Sequence, residues 1–342
     1  MDSFFAQYIT LLDDDSAMRQ MIHEQEHQYT DIQETLDTQR PALQAVADAI
    51  RKQNRILLLG MGASHYLNHL FALQLRRLGW YAIALPASEF LSNPLPITQD
   101  LVMLTSFSGE TPEVIASLDH LKHHQIVSIT GNETGTLARQ TQIGITISGG
   151  THIVNALKML AAMAYISADL QGVSKTPIYE MLSFQQKNLA EMHTAVQLLH
   201  AKNTLVTIGS GLFSALAHLF SHGGEQLSGR VIRSIEAEQL CYGSAEVLSP
   251  GAALLYFRQQ NESETLLQDI MKLHEQSSCT LVVIDSSSLA PLEGAITLRC
   301  PVEEDIIAAL AVFQTSQSLM LAYACGKNRN AGINKYIEQF IK

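Results

Sequence analysis

Four cysteines, Cys241, Cys279, Cys300 and Cys325, are all that the 342 residues contain, and no two stand at C-x-x-C spacing. That argues against a zinc knuckle and against a disulfide framework, and leaves reduced, mainly buried thiols as the expectation. Positive charge is also scarce. With Lys+Arg 22 against Asp+Glu 33 the net charge is -11. No run of Lys or Arg relieves it, so a phosphate backbone would be repelled and nucleic acid is not expected as a partner. Long apolar runs are missing too, since none reaches about 18 residues without a polar interruption. The acidic start MDSFFAQYITLLDDD lacks the basic region and small-residue cleavage site of a secretory leader. These two features predict a cytoplasmic chain with no membrane partner. No G-x-x-x-x-G-K-[ST] occurs, which argues against nucleotide hydrolysis through a P-loop.

What is present is a globular composition, 46% hydrophobic and 16% charged. A disordered chain would not bury that much apolar surface. At roughly 100 to 200 residues per domain the length predicts about two domains. Residues 1–50 read as a helical arm, with Ser16 as N-cap and Met18, Met21 and Ile22 at helical spacing. From Arg55 the pattern becomes strand, glycine turn, helix: RILLL, then Gly60-Met61-Gly62, then Leu67, Leu70, Phe71 and Leu75 at helical period. YAIALP, LVMLTS, IVSIT and GITI follow as further strands, and a helix spans 153–170. The order recurs at 204–208 with Gly209-Ser210-Gly211, at ALLYFR (253–258) and at LVVID (281–285), before a long helix after Asp305. Gly60 to Gly209 is an offset of 149, Leu101 to Ala253 of 152, and Ile126 to Leu281 of 155. Nearly constant offsets predict two copies of one α/β module, each a doubly wound three-layer parallel sheet. The expected division is an arm at 1–50, a first module at 51–175, a linker helix at 176–200 and a second module at 201–342.

Two turns carry candidate chemistry. Gly60-Met61-Gly62-Ala63-Ser64 joins a strand end to a helix start, where glycines allow the tight turn, free N–H groups attract an anion and Ser64 adds a hydroxyl. A plain strand–helix turn is the alternative. His65 stands where a dinucleotide fingerprint would need its third glycine, so a small phosphoester suits this turn better than a dinucleotide. Ser106-Phe107-Ser108-Gly109-Glu110-Thr111-Pro112-Glu113 gathers three hydroxyls in one turn at the carboxyl end of a strand. The alternative there is helix capping by Thr111 or Ser108 with Glu113 in the first turn, for which one hydroxyl would suffice.

At these motifs the sequence resembles the sugar isomerase (SIS) domain family in its tandem form. That family includes the isomerase half of glucosamine-6-phosphate synthase and the fructosamine-6-phosphate deglycases. Met18-Arg19-Gln20-Met21-Ile22-His23-Glu24-Gln25 is similar to the family's M-x-x-E-I-x-E-Q-P, with Glu26 at the proline. Gly62-Ala63-Ser64 is similar to G-T-S, the Ser106–Thr111 segment to S-Q-S-G-E-T, and Asn132 with Gly135-Thr136-Leu137-Ala138 to N-x-x-x-S-x-L-A. The resemblance implies a phosphosugar held by Gly62, Ala63, Ser64, Ser106, Phe107, Ser108 and Thr111. Lys158, which is what remains of the family's S-T-K, is expected among the substrate-binding residues.

For catalysis the resemblance places Glu225 as the carboxylate that moves a proton between C1 and C2, with Glu238 matching a second glutamate and Lys335 standing near the C-terminal lysine motif. The ring-opening histidine of H-G-P is replaced by Cys241-Tyr242-Gly243-Ser244. His218, His222 and Glu225 fall at i, i+4 and i+7 on one helix face, so His222 can stand beside the carboxylate; an interface or surface position for both histidines is the alternative. The expected function is isomerase or deglycase chemistry on a phosphorylated sugar or amino sugar. A non-catalytic sugar-phosphate sensor is the rival. A homodimer is expected, and neither a metal nor a nucleotide cofactor is implied.

Overall fold

The branched aliphatic runs form two parallel sheets, because a strand covered on both faces must be apolar along its whole length. LVMLTS and AALLYFR are buried at every position. The computed structural model of the chain describes residues 4–14, 16–96 and 100–328. They divide into two compact units, Glu24–Glu180 and a second that joins the residues up to His23 to those from Met181 onward.

The chain opens with α1 (Ala6–Ile9), α2 (Ala17–Thr38) and α3 (Arg40–Arg51). The first sheet follows: β1 (Arg55–Gly60), α4 (Gly62–Arg77), β2 (Tyr81–Pro86), α5 (Ala87–Ser92), β3 (Leu101–Ser106), α6 (Pro112–His120), β4 (Gln125–Thr130), α7 (Thr136–Gln140) and β5 (Ile143–Thr146). Next come α8 (His152–Gln171), α9 (Thr176–Leu182) and α10 (Leu189–His200). The second sheet is built by β6 (Thr204–Gly209), α11 (Leu212–Ser228), β7 (Ile232–Glu236), α12 (Ala237–Cys241), a 3-10 turn at Ser244–Val247, β8 (Ala252–Arg258), α13 (Glu264–Ser277), β9 (Thr280–Asp285) and β10 (Ile296–Arg299). The last described helix is α14 (Asp305–Lys327).

The strand orders are β2-β1-β3-β4-β5 and β7-β6-β8-β9-β10, all pairs parallel. Both are the order 2-1-3-4-5. β7 and β10 were not legible as strands. β7 is a five-residue edge strand whose burial alternates, and β10 is a four-residue edge strand only partly covered.

The segments expected as arm and linker are built into the units. In α3 the residues Leu43, Val46, Ala47 and Ile50 are buried, and the helix packs on α8 and β5 within the first sheet's unit. α10 covers β9 and β10 and packs on α14 within the other. An amphipathic helix beside an open sheet face buries its apolar stripe there instead of standing alone. Among the described residues α14 is long and apolar enough to cross a membrane, but it lies mostly buried against α11 and α10, as a core helix does.

One ion network holds the carboxyl edge of the second sheet. The Arg258 guanidinium, buried at the end of β8, donates to Asp285 Oδ2 at 3.2 Å and to the Ala290 carbonyl at 2.8 Å. Arg299 reaches the same Asp285 oxygen at 2.8 Å, and Asp285 Oδ1 accepts the Ser287 N–H and hydroxyl. Asp285→Ala leaves Arg258 buried without its carboxylate and is expected to lower the unfolding free energy by about 3 to 5 kcal/mol. Chemical denaturation measures this, and an unchanged midpoint would contradict it.

Candidate functional site

In the order 2-1-3-4-5 the chain leaves β1 toward β2 on one side while β3 lies on the other, so the loops after β1 and β3 part and open a crevice at the carboxyl edge. Both candidate turns of the first half lie there. Ser106 ends β3 and is 1% exposed. Its Oγ accepts the Gly109 N–H at 3.1 Å and lies 2.7 Å from Thr111 Oγ1 and 3.4 Å from Ser108 Oγ. Ser108 Oγ accepts the Glu110 N–H at 3.2 Å. Gly109 has φ 68°, and a Cβ there would stand 2.9 Å from Thr130 Oγ1, so both conformation and space require glycine.

Thr111 is the N-cap of α6, yet its side chain makes no cap hydrogen bond. The hydroxyls of the loop are gathered on one another, and the first turn of α6 has no side-chain acceptor from its cap residue. A plain helix cap would place Thr111 the other way. The loop is braced from behind: Asn132 Nδ2 donates to the Ser108 carbonyl at 3.1 Å, Gly131 N–H to that of Phe107 at 3.0 Å, and Leu137 N–H to that of Gly109 at 3.0 Å. Glu110 accepts the Thr136 N–H at 2.6 Å, and that bond holds its carboxyl below the usual range.

The other wall begins at Gly62, with φ 53°, and runs through Ala63 to the buried Ser64 in the first turn of α4. Asn68 Oδ1 accepts the Thr105 hydroxyl at 2.8 Å, locking α4 onto β3. That bond carries no sequence motif. Gly62, Ala63, Ser64, Ser106, Phe107, Ser108 and Thr111 thus stand on two turns of one sheet edge.

Lys158 has a different role. Its buried ammonium donates to the carbonyls of Ser148 at 2.8 Å and Gly149 at 3.2 Å and pairs with Asp31 at 2.7 Å. Three donors meet three protein acceptors, so Lys158 holds the 148–150 turn against α2, helped by Glu24 accepting the Thr151 N–H at 2.6 Å.

The remaining candidates belong to the other unit. Glu225 lies near the end of α11, exposed, with Oε1 accepting the Ile232 N–H of β7 at 2.8 Å. His222, one turn earlier, is exposed at its edge, yet the surrounding protein lowers its pKa while Glu225 opposes the shift. His218 is half-buried and lowered by burial, with Glu236 opposing. A neutral imidazole beside a carboxylate can accept a proton near neutral pH. Glu238 is exposed in the first turn of α12, and Tyr242, within the segment Cys241–Ser244 that replaces H-G-P, is 85% exposed. Lys335 lies outside the described residues. Cys279, Cys300 and Cys325 are buried and Cys241 half-buried, and burial pushes the Cys300 and Cys325 thiols up to about 12. No group of three metal-ligating side chains occurs among the described residues.

Residues 49–169 match the family model described as SIS domain, a stretch that holds β1 through β5 and both turns. The glutamine–fructose-6-phosphate aminotransferase (isomerizing) of Sulfurisphaera tokodaii is 20% identical over 289 residues, which are 81% of this chain and 49% of that protein. The chain therefore spans about half the length of this curated relative. Among solved structures, the C-terminal domain of glucosamine-fructose-6-phosphate aminotransferase from Francisella tularensis superposes with a TM-score of 0.75 at 15% identity, over 92% of this chain and 99% of that one. Tagatose-6-phosphate ketose/aldose isomerase from Escherichia coli gives 0.75 at 15% identity, over 99% and 97%. Residues 49–169 are thus similar to a SIS domain, and the chain shares the fold of these solved structures.

If the serine loop is an anion site, Ser106→Ala combined with Ser108→Ala weakens inorganic phosphate binding while the melting temperature changes little. Each hydroxyl bond to a charged oxygen is worth about 1.5 to 3 kcal/mol, roughly tenfold or more in affinity. Calorimetry with inorganic phosphate reads this, and equal affinities would reduce the loop to a turn.

Proposed function

We propose that the chain binds a phosphorylated sugar through Gly62–Ser64 and Ser106–Thr111, and acts on it as an aldose/ketose isomerase or a deglycase, its two halves being tandem SIS modules. The observation that carries this reading is the inward gathering of the Ser106, Ser108 and Thr111 hydroxyls at the switch-point crevice, away from capping α6. Such a site holds a phosphate with neutral donors, namely hydroxyls and N–H groups aided by the helix dipole, and needs no lysine or arginine. That suits a chain of net charge -11 that recognises one small phosphoester instead of a polyanion.

In this reading Glu225 moves the proton between C1 and C2 of the open-chain sugar, with His222 beside it on α11 and Glu238 as a further catalytic carboxylate. Lys335 is proposed as the catalytic lysine. Two observations favour a second reading, a sugar-phosphate sensor without turnover: Glu225 already accepts the Ile232 amide, and the segment Cys241–Ser244, with Tyr242 exposed, has no histidine where the family has H-G-P.

A thermal-shift panel of hexose 6-phosphates, amino-sugar 6-phosphates and fructosamine 6-phosphates identifies the ligand class, and turnover on the hits separates enzyme from sensor. Glu225→Gln keeps an oxygen for the Ile232 N–H but cannot take the proton as a carboxylate does. Binding should persist while turnover and solvent-deuterium incorporation at C1 or C2 fall by about 10²-fold or more. Exchange at the wild-type rate would remove Glu225 from the role, and absence of exchange in the wild-type protein with every bound ligand would favour the sensor.

The proposal includes a cytoplasmic homodimer, closed two-fold pairing being the commonest assembly. Light scattering is expected to give twice the chain mass of 37.6 kDa, and a monomer at micromolar concentration would refute it.

A further inference from the structure

Residues 4–12 contain a helix of only four residues, α1 (Ala6–Ile9), which is too short to persist without a surface to lie on. Its apolar side chains find one. Phe5, Tyr8 and Leu12, at i, i+3 and i+7, are 2%, 5% and 6% exposed, and α1 packs on α14 within the unit of the second sheet. The segment is fastened at both ends of this stripe. At its far end Arg19, in the first turn of α2, donates to the carbonyls of Leu12 and Asp13 at 3.1 Å each and pairs with Asp14 at 3.3 Å.

At its near end three side chains converge on the half-buried His193 of α10. The Phe4 ring stacks on the imidazole, with centroids 4.9 Å and planes 28° apart. The Tyr8 hydroxyl lies 2.9 Å from Nδ1, and Gln7 Nε2 lies 2.5 Å from the same nitrogen. An amide nitrogen can only donate, so Nδ1 accepts and the ring's proton is on Nε2. A protonated imidazole has two donors and no acceptor. Tyr8 could turn its hydroxyl to meet the new N–H, but the Gln7 amide would face it donor to donor. Toward this latch α10 carries Glu191 and His200, and α14 carries Tyr323, Cys325 and Lys327. Cys325 acts on Tyr8 and Lys327 on His200, while no charge among them acts on His193.

We propose that residues 4–12 form a pH-sensitive strap, latched by unprotonated His193 and released when that ring takes up a proton. Two donors on one nitrogen and a ring stack make His193 the point at which the near end is held. Burial acts in the same direction, lowering the His193 pKa from 6.5. A docked ring with a lowered pKa gives up stability on protonation, so the strap is held in full above the ordinary value of 6.5 and loosens as the pH falls below it through the docked value. Release uncovers Phe5, Tyr8 and Leu12 together with the face of α14 that α1 covers. The inference is independent of the phosphosugar reading, since it concerns the N-terminal segment alone.

Hydrogen exchange reads the latch through the strap's own amides. The N–H groups of Tyr8 and Ile9 bond to the Phe5 carbonyl, that of Leu11 to Tyr8 and that of Leu12 to Ile9. From about pH 7.5 to about pH 5.5 the protection factors of these amides, corrected for the intrinsic rate, are expected to fall about three- to tenfold, the scale of one neutral hydrogen bond, while those of β6 and β8 stay constant. Gln7→Glu puts an acceptor of the same size where the donor stood and should reverse the sign, the strap tightening toward acid. His193→Phe keeps a ring to stack on Phe4 but has no nitrogen to titrate. It should leave the strap loose and indifferent to pH, with wild-type circular dichroism. Protection that does not change with pH in the wild-type protein, a pH dependence that survives in His193→Phe, or a loss toward acid that survives in Gln7→Glu would each overturn the proposal.

Discussion

A parallel sheet cannot return along a neighbouring strand by a tight turn, so each connection crosses a face, and where successive crossings go to opposite sides the loops part. In both sheets this happens between the first and third strands. Gly62–Ser64 and Ser106–Thr111 sit on the two loops that part in the first sheet. The backbone supplies the crevice; the residue at the end of the third strand decides what it holds. Ser106 is small and can bond its own loop, so the hydroxyls collect inward. Arg258 brings a charge that must be neutralised, and Asp285 with Arg299 and the nearby carbonyls form a closed network that occupies the place.

The central strands were legible because burial on both faces writes itself as an uninterrupted apolar run, as in RILLL and LVMLTS. The near-constant offsets pointed to the repeated order for the same reason. Edge strands such as Ile232–Glu236 escaped because half-exposure dilutes the run. The helices at 40–51 and 189–200 were read as helices, but their placement depends on which sheet face is open, and that is a property of the whole unit.

Local motifs singled out the serine loop because its hydroxyls lie within six consecutive residues. Its brace was less visible. The Thr105 hydroxyl reaches Asn68 across 37 positions, and Asn132 reaches the Ser108 carbonyl across 24. Lys158 matched a motif, yet its partners are Asp31, Ser148 and Gly149, and a residue type alone does not say which acceptors will surround an ammonium. Glu225 teaches the same point: near the end of α11 its carboxylate meets the first amide of β7, a bond set by how the helix ends at Gly229 with φ 65°.

These cases separate two kinds of polar residue. Asp285 and Lys158 have every strong bonding direction met by the protein, and their contribution is to shape. The hydroxyls of Ser210 and Tyr256 are buried without a hydrogen bond of ordinary geometry. The hydroxyls of Ser106, Ser108 and Thr111 fall between, closed on one another at distances from 2.7 to 3.4 Å and able to re-form those bonds to a stronger acceptor. A phosphate oxygen is such an acceptor, because a charged partner makes each hydroxyl bond about twice as strong as a neutral one. The loop is therefore ordered on its own, and in the proposed phosphate complex the free energy lost in opening one hydroxyl pair would be exceeded by what the anion returns.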